Sequence, residues 1–175
     1  MVIFIFVEGP DDRRFVESVI SPRIGGGTET IRTIPTASEG KDDVREWVRT
    51  AQRPQHRCLF LVDNDGCPEG ARLQGVCAKR PELRAGSVDV VVQTIEAWYL
   101  AGLTQPHERQ LHVTHVAHTN DVDEAKWSAL TERARRLLRD DLKLEILARY
   151  SLSHAITRNQ SLNSFIAKYG VDVTR

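Results

Sequence analysis

The sequence of 175 residues is short of cysteine, of excess charge and of nucleotide-binding motifs, and each shortage excludes a class of protein. Its three cysteines, Cys58, Cys67 and Cys77, are odd in number and lack C-x-x-C spacing, which speaks against a disulfide framework and a zinc ribbon. Because 24 basic residues balance 24 acidic ones, binding of nucleic acid through bulk charge is not expected, although a local basic strip is compatible with this balance. The glycine motifs of P-loops and dinucleotide folds are missing too.

Long apolar segments are also missing. No run approaches the ~20 residues that a membrane-spanning helix needs. The apolar start of the chain has no basic region before it and acidic residues after it, so we expect no signal peptide. With 41% hydrophobic and 27% charged residues, the composition is that of a globular protein, and we expect it in the cytoplasm without membrane contact.

The sequence does contain apolar runs that alternate with helical patterns. Apolar runs over residues 2–7, 58–62 and 88–95, continuous in the first two and interrupted by polar residues in the third, predict strands that are buried on both faces. Alternation of strands and helices predicts an α/β fold with an open, mainly parallel sheet flanked by helices. We expect a core over residues 1–103, with residues 104–175 as a mostly helical extension packed on it in one compact domain.

Helical periodicity and turn residues predict the remaining elements. A short alternating strand is expected over residues 28–34, and a loop with a short strand over the polar, histidine-rich residues 104–123. The last helix should stop at Gly170, and the segment 124–150 forms one long helix or two joined near Asp140. Helices are predicted over residues 11–21, 38–51, 68–80, 96–103, 124–150 and 161–170, with Trp47, Trp98 and Trp127 at core positions.

Acidic residues follow each of the three apolar runs: Glu8 the first, Asp63 and Asp65 the second, and Glu96 the third. The carboxyl ends of parallel strands meet at one edge of a sheet, so these acids should converge there. Such a cluster needs an arginine, a helix N-terminus or a metal ion to offset its charge. A single acid such as Asp12 is most often a helix cap, but convergence from three strands favours a site for Mg²⁺ or Mn²⁺, which prefer oxygen ligands.

Two segments resemble the Toprim domain: "VEGPDD" before a helix, and "FLVDNDG" at the end of a later strand. The family pattern is a Glu-Gly at the tip of the first strand and a D-x-D at the tip of the third. It occurs in type IA and II topoisomerases, bacterial primases, RNase M5-type maturases and the overcoming-lysogenization-defect nucleases. "TIEAWYLAG" is similar to the E-x-W-x-L-A segment of small stand-alone Toprim-like proteins related to that nuclease branch. The resemblance covers residues 2–103, with Asp11 where Ser or Thr is usual.

The resemblance implies a metal-dependent nuclease that hydrolyses phosphodiester bonds of DNA or RNA with one or two Mg²⁺ or Mn²⁺ ions. Glu8 would be a general base or metal ligand, and Asp63 and Asp65 the metal-binding pair. Asp12 and Glu96 would be further ligands. Relatives of this kind often work beside a separately encoded ABC-type ATPase, in phage defence or a mobile element.

Several other functions use the Toprim domain or acids at strand tips. A topoisomerase would need a nucleophilic tyrosine domain, and a primase would need zinc-binding and accessory modules, which this chain lacks. The alternative function is a non-catalytic Toprim-like module that binds nucleic acid or a partner protein and keeps its acids for structure. A phosphotransfer receiver or small phosphatase does not match the spacing of the acids.

Basic and histidine residues supply further candidates. Arg13 and Arg14 follow the acidic turn and are candidates to hold the scissile phosphate, as are Lys41 and Arg158. The pattern H-x-x-H-x-x-H suits either a zinc site or a solvated loop. The arginine cluster suits either a solvated face paired with acids or a phosphate-binding strip. The histidines are His112, His115 and His118, and the arginines are Arg133, Arg135, Arg136 and Arg139.

Overall fold

The chain forms two compact units, residues 1–91 and 92–175. The boundary therefore lies twelve residues or so before the one expected from the sequence, after residue 103. The computed structural model describes residues 2–24, 29–64, 66–81, 83, 88–91, 93–134 and 138–174, without the side chains of Lys41 and Glu69.

The first unit is built on a parallel sheet, as predicted. In the described residues the sheet has four strands in the order β2-β1-β3-β4, and every neighbouring pair is parallel. The chain thus leaves β1 for β2 on one side and continues to β3 on the other. This arrangement confirms the α/β class and is compatible with a Rossmann-like fold. The strands are β1 (Val2–Val7), β2 (Thr30–Pro35), β3 (His56–Asp63) and β4 (Val88–Val91).

Helices cover the sheet of the first unit because its two central strands, β1 and β3, are apolar on both faces. Phe4 and Phe6 of β1 pack with Val44 and Val48 on one face, and Phe6 stacks on Phe60 with 4.3 Å between ring centroids. The alternate residues of β1 are equally buried. The helices are α1 (Pro10–Phe15), which continues as a wider π-type turn over Val16–Ile20, α2 (Lys41–Ala51) and α3 (Glu69–Lys79).

Strand β4 is shorter than predicted. It ends at Val91, and Gln93 adopts a left-handed backbone conformation with φ of 47°. Helix α4 (Ile95–Ala101) then begins, and every one of its residues is buried. The prediction that Glu96 stands at a strand tip is therefore wrong: its apolar neighbours belong to a buried helix, and Glu96 lies in the first turn of that helix.

In its described residues the second unit consists of helices and loops, without a strand. The short strand expected within residues 104–123 is replaced by α5, which starts with Pro106 in its first turn. The segment 124–150 is two helices, not one, and Gly170 ends the last helix at φ of 63°, as predicted. Beyond α4 the helices are α5 (Gln105–Gln110), α6 (Glu124–Leu130), α7 (Arg139–Leu147), α8 (Leu152–Arg158) and α9 (Gln160–Tyr169).

The core of the second unit contains the predicted tryptophans Trp98 and Trp127, which are 1% and 2% exposed. The Trp98 indole donates to the Ser161 hydroxyl at 2.8 Å, which satisfies its one polar atom. Among the described residues, no helix has both the length and the apolar composition needed to cross a membrane.

Gly102, at the end of α4, is required by close packing. A Cβ atom at this position would overlap the ring of Tyr150, whose hydroxyl is held by the Trp98 carbonyl at 2.8 Å. We therefore expect Gly102→Ala to lower the free energy of unfolding by about 1–3 kcal/mol, as overpacking does. Denaturant titration measures this change.

Gly70→Ala is the matched control for that substitution. Gly70 lies in α3, and a Cβ atom there meets nothing within 4 Å. The control should be neutral or stabilise the protein by up to about 1 kcal/mol through helix propensity. A Gly102→Ala protein as stable as the wild type would show that the Tyr150 ring can move aside.

Candidate active site at the strand tips

The tips of β1 and β3 lie side by side at the carboxyl edge of the sheet. Glu8 directly follows β1, and Asp63 is the last residue of β3. The strands are parallel neighbours, with Phe6 opposite Phe60, and they flank the point at which the strand order reverses. Open parallel sheets bind ligands at this point. Two predicted site residues therefore emerge from adjacent strands where a ligand site is expected.

Main-chain hydrogen bonds tie the segments that leave this edge. The Thr36 amide donates to the Val7 carbonyl at 2.8 Å, next to Glu8. The Asn64 amide donates to the Val91 carbonyl at 3.1 Å, next to Asp63. Each acid is thus carried by main chain that is bonded to a neighbouring strand or its loop.

Asp12 folds back to the turn after β1, as the Gly-Pro sequence predicts. Its side chain is buried, and Oδ2 accepts a hydrogen bond from the Gly9 amide at 3.0 Å. An acid that accepts from the amide at a helix start also complements the helix dipole. Asp12 therefore has the capping role that its sequence position allows, and this role keeps it close to the Glu8-Gly9 turn.

The turn after β3 is shaped by Asn64, which the sequence analysis did not single out. Asn64 is buried, and its Oδ1 accepts from the Gly66 amide at 3.0 Å. Its carbonyl accepts from the Cys67 amide at 2.8 Å, and Gly66 has φ of 75°, which favours glycine. The bonds of Asn64 to Gly66 and Cys67 are those of a tight Asx-type turn. Asp65, the second acid of the predicted pair, lies outside the described residues.

An arginine supplies positive charge at these strand tips. The Arg72 Nη2 donates to Glu8 Oε1 at 2.6 Å, and its Nε donates to the Asp63 carbonyl at 2.6 Å. Sequence reasoning left an arginine, a helix N-terminus and a metal ion as candidates for this charge, and it did not identify Arg72. The sequence feature that could have identified Arg72 is its position in the predicted helix that follows D-N-D-G.

A cleft of about 370 Å³ opens beside Glu8. Helix α3 forms one side of it with Arg72, and Lys79 and the following Arg80 extend that basic side. Apolar residues of β3 form part of the lining, and the Arg80 guanidinium lies 5.8 Å from the centroid of the Phe60 ring. The first unit therefore offers a pocket that joins a strand-tip acid to a row of cations.

Glu96 has a different environment, within the second unit. Its side chain is 9% exposed, and Oε1 accepts from the fully buried Lys143 Nζ at 2.7 Å and from Arg139 Nη2 at 2.8 Å. Burial opposes ionisation, but the hydrogen bond and charge of Lys143, helped by Arg139, lower the pKa of the Glu96 carboxyl to about 2. The charge of Glu96 is therefore already balanced by two cations.

The predicted phosphate-binding residues are dispersed. Arg13 pairs with Glu17 at 2.8 Å, and Arg14 pairs with Asp11 at 2.9 Å, both along the first helical segment. Lys41 is the first residue of α2, and its side chain lies outside the described set.

Arg158 is buried in the second unit, at 5% exposure. It donates to Glu108 at 2.8 Å and to the carbonyls of Leu100, Leu103 and Val116. These inward bonds give Arg158 a structural role and argue against the predicted phosphate contact. The sequence could not reveal this, because the partners lie 42 to 58 residues away along the chain.

The histidine and arginine clusters do not form a common site in the described residues. His115 Nδ1 contacts Glu108 at 2.6 Å, while His112 and His118 are exposed. Arg139 pairs with Glu96 and, at 3.1 Å, with Glu124; Arg135 and Arg136 lie outside the described part. Across the residues that the structure describes, no three His, Cys, Asp or Glu side chains are grouped as a metal site.

No protein-family model matches the chain, and neither a curated protein nor a solved structure is detectably similar to it. The sheet order, the strand-tip acids and the basic cleft are therefore the observations from which a function can be argued.

Proposed function

We propose that this protein is a metal-dependent nuclease of Toprim type, which hydrolyses phosphodiester bonds of DNA or RNA in the cytoplasm. One observation carries the proposal: Glu8 and Asp63 follow adjacent parallel strands at the switch point of the sheet. These are the first and third strands of the chain, which agrees with the Glu-Gly and D-x-D positions of the resemblance. The cleft beside Glu8 offers room for a substrate.

The donor set fits Mg²⁺ or Mn²⁺, because Glu8, Asp63 and Asp65 offer only oxygen atoms, and Asp12 is held next to Glu8. When bound, the ion would supply charge stabilisation and a more acidic water for attack on phosphorus. We leave Glu96 out of this proposed ligand set, because Lys143 and Arg139 already neutralise it.

Glu8 and Arg72 would do the remaining chemistry. A Glu8 carboxylate released from Arg72 can accept a proton from attacking water, as a general base does. The Arg72 guanidinium has a second anchor at the Asp63 carbonyl, so its release from Glu8 leaves it at the site, where it can pair with a phosphate oxygen. A separately encoded ABC-type ATPase is the proposed partner, in phage defence or a mobile element.

Metal titration tests the proposal directly. Calorimetry with Mn²⁺ should show saturable binding, and Asp63→Asn should weaken it by at least about 10-fold, as loss of a ligand or of its supporting shell does. Arg72→Gln should strengthen Mn²⁺ binding by about fivefold, because a partly exposed ion pair that competes for Glu8 is worth about 1 kcal/mol.

Asp42→Asn and Arg45→Gln are the matched controls for these two variants. Asp42 is 97% exposed and pairs with Arg45 on α2, and neither residue lines the cleft beside Glu8. Both controls should bind Mn²⁺ like the wild type. Absence of saturable binding in the wild type, or equal affinity in wild type and Asp63→Asn, would refute the proposed metal site.

The Arg72–Glu8 pair itself favours a second candidate function, the non-catalytic Toprim-like module. In that case the arginine would be the permanent counter-charge of the strand tip, and Glu8 would serve the fold alone. Arg72→Gln would then lower stability and leave Mn²⁺ binding undetectable. The same titration, combined with a denaturant measurement on each variant, separates the two functions.

A further inference from the structure

Helix α3 presents three cations to the cleft beside Glu8. Arg72 lies near its start, Lys79 is its last residue, and Arg80 is the C-cap. Residues seven and eight apart lie on one face of a helix, two turns along. The row of cations therefore runs from the strand tips toward the far end of α3.

The charge of the cleft is unbalanced. Among its described lining residues, three side chains are basic and Glu8 is the one acid. The chain as a whole has 24 basic and 24 acidic residues, so this excess is local. A cleft with walls of one charge concentrates ligands of the opposite charge, and arginine and lysine together favour phosphate groups.

The size of the cleft and the residues of its walls further restrict the class of ligand that it can bind. Its volume of about 370 Å³ is at the lower end of ligand pockets, which suits one nucleotide unit and is far too small for a duplex. Val76 is partly exposed and contributes apolar surface on which a base or sugar can pack, beside the cations that would hold the phosphates, and the buried Phe60 and Val62 form the wall behind it.

We infer that this cleft binds a nucleotide unit of a single-stranded nucleic acid, with its flanking phosphates on Lys79 and Arg80. The strand then passes Glu8 and Arg72, which places a phosphodiester next to the acids. Recognition of the strand needs no metal ion, and only its cleavage rests on the proposed function. The phosphate contacts differ from those predicted from the sequence, which fell on Arg13, Arg14, Lys41 and Arg158.

Gly75 provides a steric test of the same cleft. It lies in α3 and lines the cleft, and a Cβ atom at this position meets nothing within 4 Å. Gly75→Leu should therefore fill the cleft without disturbing the helix, which leucine favours over glycine. Gly70→Leu is its control, since Gly70 lies in α3, has equally open space and is not part of the lining.

The experiment measures fluorescence anisotropy of labelled single strands of about 12 nucleotides, DNA and RNA, in EDTA. Lys79→Ala/Arg80→Ala should weaken binding by about 10-fold or more and reduce the slope of log K against log salt by about 1.4, as the loss of two phosphate contacts requires. Gly75→Leu should weaken binding to a similar extent. Arg45→Ala/Arg49→Ala, which removes the same charge from α2, and Gly70→Leu should change it less than about twofold.

Three outcomes would overturn the inference. Equal losses in the α2 and α3 double variants would mean non-specific attraction. Unchanged binding in Gly75→Leu would mean that the strand does not enter the cleft. Displacement of the strand by equimolar mononucleotide or inorganic phosphate would mean a site for small phosphate esters. If the protein binds Mn²⁺ but the strand-binding measurements give one of these three outcomes, only the inference about the cleft fails. If the strand binds in the cleft but the protein binds no Mn²⁺, only the proposed nuclease function fails.

Discussion

Asp63→Asn is expected to lower the rate of phosphodiester cleavage by about 10³-fold while leaving the protein folded. The substitution keeps the shape of the side chain and removes the charge that a divalent ion requires. The Asp63 carbonyl, which accepts from Arg72, is unchanged, so the strand tip should keep its geometry. Cleavage of supercoiled plasmid, single-stranded DNA and structured RNA in Mn²⁺ or Mg²⁺ provides the measurement.

Glu8→Gln should give a loss of similar size, because it removes the proposed base. The double variant should be hardly slower than either single one, since groups that act as a unit are not additive. Asp42→Asn is the control for charge, because Asp42 is an exposed acid of α2. Cleavage that survives both Asp63→Asn and Glu8→Gln would belong to another site or a contaminant, and would refute the proposed roles.

Lys143→Met is expected to cause the largest loss of stability, about 3–5 kcal/mol in the free energy of unfolding. Lys143 is fully buried, and its Nζ lies 2.7 Å from Glu96 Oε1 and within 6 Å of the ring centroids of Tyr99 and Trp127. Removal of the amino group leaves the Glu96 carboxylate buried with Arg139 as its remaining described cation. Denaturant titration near neutral pH measures the loss.

The pH dependence of stability tests whether the loss in Lys143→Met comes from the buried charge of Glu96. The pKa of Glu96 is lowered from 4.5 to about 2, so ionisation of this carboxyl stabilises the native state fully above pH 4.5, and the contribution is lost as the pH falls toward 2. A shift of this size corresponds to about 3 kcal/mol. In Lys143→Met the pKa of Glu96 should rise, so this acid-dependent loss should shrink or reverse.

Lys143→Met/Glu96→Gln is the decisive companion variant. It replaces both partners of the buried pair by uncharged groups of similar shape, which is often nearly neutral. Much of the stability lost in Lys143→Met should therefore return, and a coupling energy should appear in the double-mutant cycle. A double variant as unstable as the sum of its parts would mean that Lys143 acts through packing alone.

The sequence predicts the centre of the first unit well, because β1 and β3 contain continuous apolar runs. Residues 2–7 form β1, as the first run predicts, and the run in residues 58–62 lies within β3. The same reasoning fails after β4, because the predicted strand was extended to Ile95, where helix α4 begins. A fully buried helix such as α4 lacks the polar face that would have distinguished it from a strand.

Ion pairs between distant parts of the chain explain the other differences between the sequence-based predictions and the structure. Glu8 and Arg72 are 64 residues apart, and Glu96 and Lys143 are 47 residues apart. Periodicity and motif spacing describe residues within one element, so they can identify an acid that needs a cation and cannot say which cation it meets. Predictions about which elements exist were therefore more reliable than predictions about which side chains are available to a ligand.

The bonds from Arg72 to Glu8 and to the Asp63 carbonyl give the strand tips a counter-charge of their own. Small metalloproteins whose ligands have no internal counter-charge stay unfolded until the ion arrives. Here the Arg72 guanidinium already offsets negative charge at the carboxyl edge of the sheet. The first unit should therefore fold without a divalent ion, so that a chelator would empty the proposed metal site and leave the unit folded.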